Sequence, residues 1–156
     1  METKIIEIKD KQKKSTFTDI LLRKLPDWFG NENSLKNYVK TVVEYPFWAA
    51  FEEDKCIGFI SCKIHYNRTG DIYVIGIDPQ YHGNGIGTLL YKELEKFCVK
   101  NSCEYIIVKT LSEIVEDTNY LKTKKFYTKM GFKELLTLIE MWDEENPCLI
   151  MIKNIK

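Results

Sequence analysis

Three glycines at alternate positions, Gly83, Gly85 and Gly87, stand between an apolar run that closes on Asp78-Pro79 and a leucine-rich, charged segment that opens at Thr88. The chain has only eight glycines, so this spacing at a strand-to-helix junction narrows what it can fold into more than any other feature. Glycine lets the backbone take positive φ and lets a ligand approach the main chain closely. The first turn of a helix adds unpaired N–H groups and the positive end of the helix dipole. The junction reads either as an anion-binding turn or as a tight connection.

The flanking pattern supplies the frame. "KIIEI", Lys4 to Ile8, is a short first strand, and "STFTDILLRKL" is a helix stopped by Pro26. "LPDWFGN" is a loop with two aromatics. Ser34 is a helix N-cap, and after it Leu35, Tyr38, Val39, Val42 and Val43 follow helical spacing. From Pro46 the period changes to strands at 47–52, 56–65 and 71–77, with turns at Glu53-Asp54-Lys55 and at "NRTG", an antiparallel meander. Thr88 to Lys100 is a helix with Leu90, Leu94, Phe97 and Cys98 on one face. A buried strand follows at 104–110, then a helix from about Tyr120 to Met130 closed by Gly131, and strands near 133–140 and 148–153. The order β-α-α-β-β-β-α-β-α-β-β makes strands 71–77 and 104–110 parallel neighbours across a βαβ unit. The expected class is α/β: one domain over 1–156, with a mixed, mostly antiparallel sheet.

Composition bounds function. Lysine and arginine balance aspartate and glutamate at formal net charge zero, which argues against nucleic-acid or membrane-surface binding. No apolar run reaches the roughly 18 residues of a membrane helix. "METKIIEIKDKQKK" is too charged for a secretory signal. Cys56, Cys62, Cys98, Cys103 and Cys148 form no CxxC pair, and His65 and His82 lie far apart. These are expected to be reduced structural thiols of a cytoplasmic protein with no metal site.

Two familiar anion loops do not fit. A P-loop needs GxxxxGK[ST], and no lysine directly follows Gly83, Gly85 or Gly87. A dinucleotide fingerprint needs GxGxxG, but the third place falls on Thr88 or Leu90, and the preceding meander is foreign to that fold. "QYHGNGIG", in contrast, resembles the (Gln/Arg)-x-x-Gly-x-(Gly/Ala) signature of the GNAT superfamily of N-acetyltransferases, with Gln80, Gly83 and Gly85 in its defined places. "LKTKKFYTKMGF" resembles that superfamily's later motif, through Phe126, Tyr127, Lys129, Gly131 and Phe132. The element order is also that of the family.

The resemblance implies a GNAT-like sheet, with helices on both faces and a splayed parallel strand pair, and acetyl-CoA as cosubstrate. His82, Gly83, Asn84, Gly85, Ile86, Gly87 and Thr88 would carry the pyrophosphate. Ile75, Gly76 and Ile77 would pair with the pantetheine arm, Gly76 also serving as a bulge residue. The family's asparagine contact is expected at Asn119, although Tyr120 holds its usual place. Tyr127 would protonate the leaving thiolate. The general base would be Asp71 or an ordered water, and Asp71 also reads as a turn residue. Trp28, Phe29 and Trp142 are candidate walls for the acceptor, and Asp143, Glu144 and Glu145 form either an attraction for a cation or a solvated turn.

The implied activity moves acetyl from acetyl-CoA to a primary amine by direct attack in a ternary complex. The expected partner is a small-molecule amine, with neither nucleic acid nor membrane, and a homodimer is an allowed assembly. The alternative is a non-catalytic module of the same fold that binds acyl-CoA as a sensor.

Overall fold

A computed structural model of the chain describes residues 2–111, 118–143 and 146–156. In chain order the elements are β1 (Thr3–Glu7), α1 (Lys11–Arg23), α2 (Glu32–Thr41), β2 (Phe47–Glu52), β3 (Lys55–His65), β4 (Thr69–Ile77), α3 (Ile86–Lys100), β5 (Tyr105–Leu111), α4 (Thr118–Lys129), β6 (Lys133–Asp143) and β7 (Asn146–Asn154). Short 3-10 turns lie at Val42–Glu44 and Pro79–Tyr81. The strands bond in the order β1-β2-β3-β4-β5-β7-β6, with β4 and β5 parallel. This is the expected mixed, mostly antiparallel α/β class.

Most element boundaries differ by one to three residues from the sequence reading, and two of the differences have a clear local cause. Helix α2 is capped by Asn31, whose side chain accepts from Ser34 N–H at 3.0 Å, so Ser34 lies inside the first turn. Both residues are good caps. The earlier one adds a turn that brings Glu32 to the positive end of the helix and to Arg23, 2.9 Å away. The β3–β4 reversal falls on Tyr66 and Asn67, at φ 55° and 50°, with Arg68 N–H donating to His65 O at 3.0 Å. Two consecutive positive φ values make a type I′ turn, whose twist suits a hairpin. Strand β4 therefore starts at Thr69, ahead of the "NRTG" expectation.

The chain divides into two compact units, one of residues 1–63 and 73–97, the other of residues 64–72 and 98–156. In the first, strand alternation sends β2 side chains to opposite faces. Phe47 and Ala49 join Leu21 and Leu22 of α1, Leu35 of α2, Phe59 and Val74 in one buried cluster, where the Phe47 and Phe59 rings stack at 5.0 Å. Trp48, between them in sequence, meets Phe97 of α3 edge-on at 5.3 Å. Helices thus cover both faces of β2. Gly76 is required by crowding against this cluster. A Cβ there would lie 2.9 Å from the Phe59 ring and 3.2 Å from Leu22.

In the second unit, β5 pairs with β7 from Tyr105↔Asn154 to Leu111↔Cys148. Its parallel register with β4 runs from Thr69↔Tyr105 to Ile72↔Val108. Helix α4 ends in a Schellman motif. Phe132 N–H donates to Tyr127 O at 3.0 Å, and Gly131 N–H to Thr128 O at 3.1 Å. Gly131 has φ 101°, and the Tyr127 and Phe132 rings close the motif at 5.7 Å. The tyrosine, glycine and phenylalanine of "FYTKMGF" are therefore one helix-ending device.

Gly131→Ala should lower stability by about 1–3 kcal/mol, the usual cost of a strained backbone conformation in a residue with a Cβ. Urea unfolding measures it, and an unchanged midpoint would contradict the motif.

Candidate active site

The segment after β4 is pinned before it opens. Asp78 N–H donates to Ile57 O at 2.8 Å. The Asp78 carboxylate, nearly fully buried, accepts from Gln80 N–H at 3.0 Å and from Lys24 Nζ at 2.8 Å, with Lys55 Nζ at 3.9 Å. Burial acts to raise its pKa. The hydrogen bonds from Lys24 and Gln80 and the charges of Lys24 and Lys55 outweigh burial and hold it below the ordinary carboxylate range. The next turn is fixed by Tyr81, whose ring lies 5.4 Å from Lys55 Nζ and whose phenol is raised by its hydrogen bond to Glu52.

His82 folds back, its Nε2–H donating to Ile77 O at 2.8 Å. The imidazole is thereby spent on the loop, and the Ile77 carbonyl is engaged. Gly83 and Gly85 then take φ 81° and 77°. A Cβ at either would meet nothing within 4 Å, so these glycines serve backbone conformation and open access rather than packing. Leu89 N–H, bonded to Gly85 O at 3.2 Å, closes the first turn of α3. Among the described residues, no backbone carbonyl accepts from the N–H groups of Gly83 to Thr88. A run of unpaired N–H groups at the start of a 15-residue helix is a fitting cradle for a phosphate.

The first unit also gathers aromatics. Phe29 meets Tyr38 at 5.8 Å. Tyr73 of β4 meets Tyr38 at 5.3 Å and Tyr45 at 4.9 Å, and its hydroxyl lies 2.6 Å from Thr41 Oγ1. Lys63 Nζ sits 5.7 Å from the Tyr45 ring. Trp28, paired with Phe29 in the sequence reading, turns instead to His82, edge-on at 6.0 Å, beside the glycine loop.

In the second unit Asp71 is 1 % exposed. Its Oδ2 lies 2.9 Å from His65 Nε2 and accepts from Lys109 Nζ at 3.0 Å, while Oδ1 has no partner among the described residues. Tyr127 is 3 % exposed, between Phe126 at 5.2 Å and Phe132. The side chains of Asn119, Trp142 and Asp143, and all of Glu144 and Glu145, lie outside the described residues.

The sequence reading missed Lys24, Lys55, His65 and Lys109. Asp78 ahead of a proline carried a local signal, since aspartate is a good N-cap and proline suits the first turn position. The lysines that meet it carried none. Among the described residues no helix is long and apolar enough to cross a membrane.

The profile of the acetyltransferase (GNAT) family matches residues 5–132. The chain is 35% identical over 75 residues to the mycothiol acetyltransferase of Saccharopolyspora erythraea, covering 48% of this chain and 21% of that protein. It therefore spans about a fifth of that relative's length. It is 28% identical over 112 residues to an uncharacterized N-acetyltransferase of Methanocaldococcus jannaschii, covering 70% of this chain and 67% of that one. In fold it is similar to a crystal structure of aminoglycoside 6′-N-acetyltransferase complexed with coenzyme A, with TM-score 0.76, 20% identity, and 100% and 98% of the two chains covered. That identity speaks to the fold alone.

The buried Asp78 carboxylate gives a pH signature. Its folded pKa is depressed, so its stabilisation is complete above the unfolded value of about 3.9 and is lost as pH falls through the lower folded value. Asp78→Asn should be less stable than the parent at neutral pH, and the gap should close in acid. Denaturant midpoints across the acid range test this; a gap independent of pH would remove the charge from the account.

Proposed function

The chain belongs to the GNAT acetyltransferase family, and from that premise we propose that residues 1–156 act as one N-acetyltransferase domain, moving acetyl from acetyl-CoA to the primary amine of a small molecule. The observation that carries this reading is the loop Gly83–Thr88, whose N–H groups meet no backbone carbonyl among the described residues and whose two positive-φ glycines leave open space around it. The pyrophosphate of the coenzyme suits such a cradle in charge and size. The pantetheine arm runs along the backbone of Ile75–Ile77, on the strand that leads into the loop.

The reaction needs a neutral amine, stabilisation of the developing oxyanion and a proton for the leaving thiolate. The amine nitrogen attacks the thioester carbonyl, the C–S bond breaks, and the sulfur takes a proton from Tyr127. That role rests on the place of Tyr127 in "FYTKMGF". The proton lost by the amine goes to Asp71 or to a water. Asp71 supports this role through its Oδ1, which no described residue engages. Phe29, Tyr38 and Tyr73, close to the pantetheine strand in the same unit, form a wall suited to a cationic acceptor before it loses its proton.

Screening amines with acetyl-CoA for free-thiol release tests the reading. Amine-dependent release supports it, whereas coenzyme binding without release under any amine would leave a binding module. Two variants separate the parts. Gly85→Asn keeps a residue tolerant of positive φ and adds bulk alone, while Gly85→Asp adds charge as well. Calorimetry should show weakened coenzyme binding in the first and none in the second, and equal affinity in both would remove the pyrophosphate from the loop. Tyr127→Phe should lower kcat by about 10²–10⁴-fold, the usual worth of general acid catalysis, with acetyl-CoA affinity kept. If only KM for acetyl-CoA rises, Tyr127 is a packing residue.

A further inference from the structure

The second unit gathers titratable side chains around one buried carboxylate. Asp71 of β4 stands in register with Ile107 of β5, so alternation puts Lys109, two residues on, on the face that Asp71 uses. Cys148 of β7 lies close enough for both charges to act on its thiol. His65 ends β3 at the Tyr66–Asn67 reversal and meets the same carboxylate. Asp71 is poorly placed to take a proton from a substrate directly. It is 1 % exposed, and its Oδ2 is shared by His65 Nε2 at 2.9 Å and Lys109 Nζ at 3.0 Å.

The His65 side chain, in contrast, is 34 % exposed. An ionised carboxylate can only accept, so Nε2 carries the hydrogen of its bond to Asp71. The neutral ring then keeps its lone pair on Nδ1, which bonds to nothing among the described residues. The Asp71–Lys109 ion pair would be complete without an imidazole. What His65 adds is a base whose tautomer the carboxylate fixes.

We propose that His65 is the base of the acetyl transfer, with Asp71 and Lys109 as the residues that position it. This rests on the acetyl-transfer reading above and decides between its two destinations for the proton. As the amine nitrogen bonds to the thioester carbon, its N–H proton passes to a water, and that water gives a proton to His65 Nδ1. The imidazolium, bonded to Asp71, then releases the proton to solvent, which returns one to Tyr127 after the thiolate has left.

Kinetics with an amine that the parent acetylates test the assignment. His65→Gln keeps an N–H for Asp71 but has no basic nitrogen, and should lower kcat by about 10²-fold or more, with acetyl-CoA affinity unchanged by calorimetry. His65→Ala should lose as much and regain part of its rate when imidazole is added to the buffer, which a structural role would not allow. Circular dichroism checks both folds, and either variant serves if the other unfolds. Asp71→Asn should slow the parent but cost little more in the His65→Gln background, because groups that act as one unit are not additive. Full activity in His65→Gln overturns the proposal. An equal loss from Asp71→Asn in both backgrounds also overturns it, since Asp71 would then be the acceptor itself. So does a neutral His65 ring protonated on Nδ1, read by 15N NMR of the parent in alkaline buffer without any turnover. A parent that releases no thiol with any amine overturns the acetyl-transfer reading itself, and this one with it.

Discussion

Everything that makes the glycine loop useful depends on how Asp78 is held. A loop can leave a run of N–H groups unpaired only if something else fixes its path, because unpaired main chain is otherwise driven to fold onto itself or into water. Here one buried carboxylate ties the end of β4 to the Gln80 N–H, to Lys24 just past the end of α1 and, more distantly, to Lys55 at the start of β3. Its own N–H is tied to Ile57. The His82 imidazole and the Lys55–Tyr81 contact then fix the next turn. Only after these anchors does the chain enter the left-handed region, at Gly83 and Gly85.

Much of this was legible because its signals are local. A change of hydrophobic period marks the meander, and glycines before a leucine-rich helix mark the loop. Glycine followed by phenylalanine marks the close of α4. The last of these has a fuller physical reading in the structure than in the motif. Tyr127, Gly131 and Phe132 are the three positions that a Schellman ending uses for its carbonyl, its left-handed residue and its apolar closure. The ending therefore orients the Tyr127 ring as well as stopping the helix.

What was not legible is set by contacts between distant segments. Asp71 read equally as a base and as a turn residue, since nothing near it in sequence announces Lys109, 38 positions away. The aromatic cluster draws on the loop after α1, on α2, on the approach to β2 and on β4, and no periodicity links those positions. Trp28 and Phe29 are adjacent in sequence, yet one meets His82 and the other Tyr38. Consecutive loop residues have no fixed alternation from which to read such a divergence. The choice of Asn31 over Ser34 as the cap of α2 was a competition between two good caps, and the earlier cap is the one that also brings Glu32 to Arg23, nine residues away.

The cysteines bear on how acetyl transfer can proceed. A route through an acyl-cysteine needs a thiolate, or a thiol that readily becomes one. Burial pushes the Cys56 and Cys103 thiols up to about 11, and burial also raises Cys148 despite the nearby Lys109 charge. Thiols held that high remain protonated and poorly nucleophilic at neutral pH. An acyl-enzyme on Cys56, Cys103 or Cys148 is therefore disfavoured, in keeping with the direct attack by the amine proposed above, which leaves positioning and proton transfer as the work to be done. In the proposed reaction those tasks fall to the backbone cradle, to the buried Tyr127 phenol and to the Asp71 carboxylate.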